Sequence, residues 1–284
     1  MSWTEWEPVS GFDFKDILYE KKYHKELEGG IGKVTINRPD KLNSFTNVTQ
    51  DEMFRAVDNS SHDPMVGVVI LTGAGDKAFS AGGDVGWEAT GLREQFYWRY
   101  PPNYIVRLCR KPTIAAVKGW AIGGGHHLAY TCDFTIAADN AKFGQNGPRV
   151  ASPADGYLVS YLTRVVGAKK AREIWMLCRR YDAQQALEMG LVNTVVPLDK
   201  FDEEIDTWCE EILNLSPGCL EILKATFDMD IDYMSGSYGQ TSRLMYPNWF
   251  DSKECKEGPK AFMEKRKPDF WKIRKEEIEA AKKG

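Results

Sequence analysis

Three consecutive glycines, Gly123-Gly124-Gly125, stand between an apolar run, Thr113-Ile114-Ala115-Ala116-Val117, and a helix-compatible segment that opens at Leu128. Glycine lets a backbone approach a ligand closely. A helix start leaves N–H groups without partners, and its dipole favours negative charge there. The chemistry on offer is therefore stabilisation of an oxyanion. The same triplet would also serve tight packing alone, so the rest of the chain has to decide. Six cysteines (Cys109, Cys132, Cys178, Cys209, Cys219, Cys255) are scattered without CxxC pairs. That pattern points to neither a zinc site nor a disulfide framework, and it predicts a reducing, cytoplasmic setting.

The elements that must position the glycines come from periodicity. Ile17 to Tyr23 reads as a strand, Gly29-Gly30 as a turn, and Ile31 to Asn37 as the hairpin partner. Thr49-Gln50-Asp51-Glu52 reads as a capping box opening a helix through Val57, broken by Asp63-Pro64. Val66 to Gly73 is a buried strand, and a helix runs through Val106 to about Arg110. After the glycine turn, Asp133 to Ala138 and Lys142 to Gln145 are short strands. Helical periodicity dominates from Tyr157. Asp182 caps a helix ending at Gly190, Val192 to Val196 is a last strand, and residues 200–284 read as helices. The first 16 residues read as a surface arm.

Strand–turn–helix units followed by an all-helical end indicate an α/β protein. A Rossmann sheet is the generic expectation for that pattern. Several connections are too short for a βαβ crossover, which favours repeated ββα turns stacked as a spiral. With 284 residues, one large domain or two small ones are possible. A hydrophobic fraction of 43% supports a sizeable core, and a net charge of −4 argues against a nucleic-acid partner. No apolar run reaches the roughly 18 residues of a membrane span. Residues Ser2 to Glu7 show no basic region leading into an apolar core, so no secretory leader and no membrane partner are expected.

Arg38-Pro39-Asp40-Lys41-Leu42-Asn43-Ser44-Phe45, Lys77-Ala78-Phe79-Ser80-Ala81-Gly82-Gly83-Asp84, and Gly119-Trp120-Ala121-Ile122-Gly123-Gly124-Gly125 with Cys132-Asp133 resemble the crotonase (enoyl-CoA hydratase/isomerase) superfamily. A narrower set is similar to the 1,4-dihydroxy-2-naphthoyl-CoA synthases and equally to the 2-ketocyclohexanecarboxyl-CoA hydrolases. It comprises Phe143 to Val150, Val166 to Trp175, Ala186 to Pro197, and Glu257-Gly258-Pro259-Lys260-Ala261-Phe262 with Glu264 to Phe270. The resemblance covers residues 17–274. It implies a crotonase-like spiral of ββα units with a C-terminal helical region. Residues 17–200 would form the acyl-CoA core, and 201–284 would serve trimerisation and as a lid on the CoA site.

The resemblance also implies roles. Thioester enolate charge would be held by the N–H groups of Gly83 and Gly124. Coenzyme A, as part of the substrate, would lie along Lys41, Leu42 and Ala81, with Phe262 and Lys265 meeting its nucleotide end, often from a neighbouring subunit. A homotrimer or dimer of trimers is implied, with no metal. Where hydratases carry two glutamates, this chain has His127 and Gly147. That disfavours simple hydration of a linear enoyl-CoA. Gly147 matches synthases that borrow a bicarbonate as base, which Gln145 and Asn146 could help to hold. His127 then becomes the candidate general base or water-positioning group, whereas His126 reads as structural.

Two departures bear on the reaction. The Ser-x-Asp of the synthases and ring hydrolases is here Ser152-Pro153-Ala154-Asp155, so Ser152 keeps its place and Asp155 comes one residue late. In a helix that shift turns a side chain by about 100°; in a loop a kink could still bring Asp155 in. The relatives' C-terminal tyrosine falls at Phe250, with Tyr246 one turn earlier. The aromatic stretch 87–104, with Trp87, Phe96, Tyr97, Trp98, Tyr100 and Tyr104, occupies the place of a loop over substrate and suggests a bulky cyclic acyl group; Arg93 and Arg99 there could reach a CoA phosphate or face water. The reading is a hydrolase/lyase that opens the ring of a cyclic β-keto acyl-CoA. The alternatives are a cyclic dienoyl-CoA hydratase, a Dieckmann-type naphthoyl-CoA synthase, or a non-catalytic acyl-CoA-binding protein.

Overall fold

The computed structural model describes residues 2–88, 102–154, 156–231, 234 and 244–282. Its strands are β1 (Glu7–Pro8), β2 (Ile17–Tyr23), β3 (Gly30–Ile36), β4 (Val66–Gly73), β5 (Ala78–Ser80), β6 (Thr113–Val117), β7 (Trp120–Ile122), β8 (Phe134–Ala138), β9 (Lys142–Gly144), β10 (Arg180–Asp182) and β11 (Thr194–Val196). They form a seven-stranded sheet in the order β1-β2-β3-β4-β6-β8-β11 and a four-stranded sheet in the order β10-β9-β7-β5. From β3 to β11 every pairing in the large sheet is parallel, as are β5 with β7 and β7 with β9. The helices that matter below are α1 (Asn47–His62), α2 (Pro102–Leu108), α3 (Gly124–Thr131), α4 (Tyr157–Val166), α5 (Ala168–Leu177), α6 (Ala183–Glu188), α7 (Phe201–Leu213), α8 (Pro217–Met229), α9 (Lys253–Met263) and α10 (Phe270–Ala281).

The spiral expected from the sequence is the one adopted. β4/β5, β6/β7 and β8/β9 each place one strand in the large sheet and the next in the small one. Lys118-Gly119 alone joins β6 to β7. A Cβ on Gly119 would lie 2.1 Å from the Lys77 carbonyl oxygen, and its φ is +60°, so glycine is required at this corner. Strands β7 and β10 are not read from the sequence. Each has three residues, and β10 (Arg180-Tyr181-Asp182) is held only by pairing to β9. Such runs carry no period of their own.

Alternation within the strands assigns two cores. Val69 and Leu71 of β4, with Ala115 and Val117 of β6, face Met53, Ala56 and Val57 of α1 and Leu128 and Ala129 of α3. Val68 and Ile70, with Ile114 and Ala116, face Phe201, Ile205, Cys209 and Ile212 of α7. Full burial of such side chains contributes about 1.5–3 kcal/mol each. Helix α1 starts earlier than the sequence reading places it. Thr46 is the N-cap, and its N–H donates to Thr49 Oγ1 at 3.1 Å. Glu52 is spent instead on the N-terminal arm, accepting the N–H groups of Lys15 and Asp16 at 2.8 and 2.7 Å. The arm itself pairs through β1 with β2. Among the described residues no helix is long and apolar enough to cross a membrane.

An ion pair between buried Lys224 and the partly exposed Asp133 ties α8 to the large sheet. Lys224 Nζ donates to Asp133 Oδ2 at 2.7 Å and to the Lys111 carbonyl at 3.0 Å. The Thr113 N–H and hydroxyl both donate to the same Asp133 oxygen at 2.7 Å. Removing the Asp133 carboxylate leaves the buried Lys224 ammonium without its counter-charge. Asp133→Asn is therefore expected to lower unfolding free energy by about 2 kcal/mol. Urea unfolding of Asp133→Asn, of Lys224→Met and of the double variant checks this: the double variant should lose less than the sum of the two single changes.

Candidate active site

Two glycine segments meet at the C-terminal ends of neighbouring parallel strands. β5 runs into Ala81-Gly82-Gly83-Asp84, and β7 runs into Gly123-Gly124. Gly82 has φ +90°, and a Cβ there would lie 2.7 Å from the Gly124 nitrogen and 2.9 Å from the Ile122 oxygen. A Cβ on Gly125 would lie 2.1 Å from the Ser80 oxygen, and one on Gly124 would lie 2.4 Å from Phe45 Cζ. The seam closes only because these residues lack side chains. Gly124 opens α3, so its N–H has no acceptor in the helix. Among the described residues neither the Gly83 nor the Gly124 N–H donates to a protein acceptor, and both glycines are partly exposed. Two such donors side by side, one on a helix dipole, suit a developing oxyanion.

The loop implied to follow CoA is laced to this seam. The Ala81 N–H donates to the Leu42 oxygen at 2.9 Å, Phe45 N–H to the Gly82 oxygen at 2.9 Å, and Asp84 N–H to the Phe45 oxygen at 3.0 Å. Leu42 and Lys41 are exposed at the end of the Pro39–Lys41 turn, with Leu42 left-handed at φ +50°. Arg38 Nη2 donates to Asp84 Oδ2 at 3.1 Å. Asp84 Oδ1 accepts the Trp87 N–H at 3.1 Å, capping the short helical turn Val85–Glu88. Partial burial works against the Asp84 charge, but the Trp87 N–H and Arg38 hold its carboxyl below the usual range. Lys41, Leu42, Ala81 and Gly83 are thus one connected unit.

His127 lies one turn beyond Gly124 on α3. Its Nε2 is 3.2 Å from Gln145 Oε1, and Gln145 Nε2 is 3.0 Å from His126 Nδ1. With the amide so placed, Gln145 accepts from the His127 Nε2–H and donates to the His126 Nδ1 lone pair. The His127 ring packs 5.2 Å from Trp175 of α5 and 5.9 Å from Tyr130. Burial pushes His127 down to about 4, with Gln145 opposing. Burial, then the neighbouring His127 and Arg180 charges, push His126 down to about 3. Both imidazoles are neutral at pH 7.

Gly147 and Ser152 are brought together. Ser152 N–H donates to the Gly147 oxygen at 3.1 Å, and the Ser152 oxygen lies 2.5 Å from where a Gly147 Cβ would be. A hydratase-type glutamate could not enter here without moving backbone. The same geometry bears on a bound bicarbonate. The Gln145 amide is spent on two histidines, the Arg180 guanidinium on the oxygens of Gln145, Cys178 and Asn146, and a carbonyl oxygen faces the Gly147 space. As arranged, these residues do not fit that anion. Asp155 lies outside the described residues, as do Phe96, Tyr97, Trp98, Tyr100, Arg93 and Arg99.

Phe262 and Lys265 stand exposed at the C-terminal end of α9. Helix α9 itself packs on the Val85–Glu88 turn, and its Gly258 fits against Val150, whose oxygen a Cβ would meet at 2.1 Å. Tyr246 is half exposed with its ring 5.7 Å from Trp249, and Phe250 is exposed nearby. Residues that the sequence reading does not single out complete the site. Glu88 lies against Gly83, Trp175 against His127, and Arg38 on Asp84. The Arg38 signal is present in the quoted loop motif; that of Glu88 is not, because its contact exists only once the turn has formed.

With this geometry in place, comparison with known proteins is specific. A family profile described as enoyl-CoA hydratase/isomerase matches residues 26–273. A solved enoyl-CoA hydratase/carnithine racemase from Magnetospirillum magneticum is 31% identical, over 93% of this chain and 98% of that one, with a TM-score of 0.72. An enoyl-CoA hydratase from Bacillus anthracis is 30% identical over 90% and 99%, with a TM-score of 0.68. A monofunctional enoyl CoA isomerase from M. smegmatis is 33% identical over 76% and 94%, with a TM-score of 0.61. By profile, identity, coverage and fold together, the chain belongs to the enoyl-CoA hydratase/isomerase family.

Proposed function

We propose that this chain is an acyl-CoA enzyme that stabilises a thioester enolate and hydrolytically opens the ring of a cyclic β-keto acyl-CoA. The observation that carries the reading is the glycine seam combined with a site that lacks the hydratase carboxylate pair. His127 replaces one carboxylate, and the Ser152 carbonyl closes the place of the other at Gly147. The Gly83 and Gly124 N–H groups would bind the thioester oxygen. Water adds to the ring ketone, the bond to the α-carbon breaks, and its electron pair becomes the enolate held by those two donors. Protonation of the α-carbon then releases the open-chain acid. One oxyanion donor of this kind is worth about 3 kcal/mol in the transition state.

The motifs shared with the naphthoyl-CoA synthases and ring hydrolases support this branch. Neutral His127, fixed by Gln145 and Trp175, is suited to positioning the water. Ser152, and Asp155 by its place in the sequence, are proposed to serve the same reaction. Lys41, Leu42 and Ala81 would follow CoA, with Phe262 and Lys265 at its nucleotide end. Residues 17–200 would hold the substrate and 201–284 would cover it and mediate a trimer or dimer of trimers. Exposed Ile222, Phe227 and Met229 on α8 support that assembly. The six described cysteines are free thiols, which supports a cytoplasmic setting. The hydratase relatives favour a second reading, hydration of a cyclic dienoyl-CoA.

Incubation with a panel of cyclic β-keto and cyclic dienoyl thioesters, followed by mass spectrometry, separates the readings. Both products gain the mass of one water, so fragmentation must identify the ring-opened acid. Ring-opened product from a β-keto thioester is expected; hydrated dienoyl product alone would transfer the assignment to the second reading, and tight acyl-CoA binding without turnover would make the chain a binding protein.

The neutral histidine pair sets an acid limit on the fold. The unfolded imidazoles take protons below pH 6.5, whereas the folded ones resist down to about 4 for His127 and about 3 for His126. Stability is therefore complete above that window and falls as pH drops through it. Urea unfolding should show a loss of about 1–2 kcal/mol per histidine between about pH 7.5 and pH 5. His127→Gln should flatten part of that slope; an unchanged slope would mean that His127 is not held neutral.

A further inference from the structure

Glu88 ends the short helical turn that leaves the Gly83 segment, and its carboxylate lies on Gly83 itself. Glu88 Oε1, Cδ and Oε2 are 2.3, 3.0 and 3.7 Å from where a Cβ on Gly83 would be. A Cβ is about 1.5 Å from its Cα, so one carboxylate oxygen is within roughly 4 Å of the Gly83 backbone. The turn is fixed on three sides. Asp84 accepts the Trp87 N–H at 3.1 Å through its side chain and the Glu88 N–H at 2.9 Å through its carbonyl. Arg38 anchors Asp84 at 3.1 Å, and α9 packs on the turn from outside. Glu88 is only half buried.

Other groups in the site are poorly placed to accept a proton from carbon. The His127 Nε2 is committed to Gln145, and the depressed basicity of the ring makes it a weak acceptor. Gly147 has no side chain, and the Ser152 carbonyl fills the space beside it. The bound thioester oxygen would sit at the Gly83 and Gly124 N–H groups, so its α-carbon would lie beside the segment that the Glu88 carboxylate covers.

We propose that Glu88 is a catalytic residue: its carboxylate exchanges the proton at the α-carbon of the bound thioester. This rests on the enolate chemistry proposed above. In the forward direction for a saturated thioester, the Cα–H bond breaks and its proton goes to Glu88. The electron pair moves into the Cα–C bond, and the carbonyl π pair moves onto the oxygen. One negative charge leaves the carboxylate and one appears on the oxygen held by Gly83 and Gly124, so the site's net charge is constant through the step. In ring opening the same residue, protonated, returns the proton to the enolate carbon.

The test uses the full chain and cyclohexanecarboxyl-CoA, a saturated cyclic thioester with one α-hydrogen. Wild type in D2O is expected to exchange that hydrogen, read by mass spectrometry. Glu88→Gln is isosteric at a half-exposed position, and it should slow exchange by about 100-fold or more while binding the thioester as wild type does. Glu88→Asp, with the carboxylate withdrawn by one methylene, should exchange at an intermediate rate. Wild-type exchange rates in Glu88→Gln would overturn this assignment and leave the enolate reading standing. A wild type that binds the thioester and exchanges nothing would overturn both.

Discussion

The whole site depends on backbone meeting backbone with nothing between. Gly82 lies on the Gly124 nitrogen and Gly125 on the Ser80 oxygen, at separations that any side chain would prevent. Parallel pairing of β5 with β7 brings the two strand ends together, and the absence of side chains lets them close. From that contact follow two N–H groups on adjacent segments, unpaired among the described residues, one at the head of α3. The donors are fixed by covalent backbone and sheet hydrogen bonds rather than by rotamers. They would need no reorganisation as negative charge developed on a ligand between them.

Around this fixed centre the polar groups are arranged to stay neutral or to be paired. Gln145 takes both histidines, one with each end of its amide. Burial keeps those rings uncharged, so α3 presents no cation beside its own positive dipole end. The ion pairs Arg38–Asp84 and Lys224–Asp133 hold the surrounding elements, and the Glu88 carboxylate lies on Gly83 itself. The Lys224 pair is fully structural: it joins α8 to the start of β6 and the residue before β8. The Arg38 pair is shared, because Asp84 also caps the turn that carries Glu88.

Much of this was legible in the residues. Apolar runs gave β4, β6 and β8; the short connections gave the spiral; and the glycine motifs located the two segments that meet at the seam. What escaped has physical reasons. β7 and β10 are too short for a period, and they exist because β9 offers hydrogen bonds to both. The α1 cap was misplaced because Glu52 looks like a capping residue yet serves the chain from Lys15 to Asp16. Gly147 reads in sequence as a missing glutamate, but only the fold shows the Ser152 carbonyl filling its space. Glu88 was silent for the same reason: its proximity to Gly83 is created by the Asp84 cap, and nothing in its spacing announces a contact.

Asp84 carries a consequence of its own. It receives Arg38 from the Lys41–Leu42 loop, it caps the Glu88 turn, and its backbone bonds Phe45 beneath Gly83. A ligand that orders the loop therefore biases the same carboxylate that fixes the turn. By linkage, free energy gained in ordering one is returned as tighter organisation of the other. On the proposed reading, grip on the coenzyme A end of a thioester at the Lys41–Leu42 loop and the alignment of its reacting carbon are coupled through Asp84. A truncated thioester lacking that end should forfeit turnover as well as affinity.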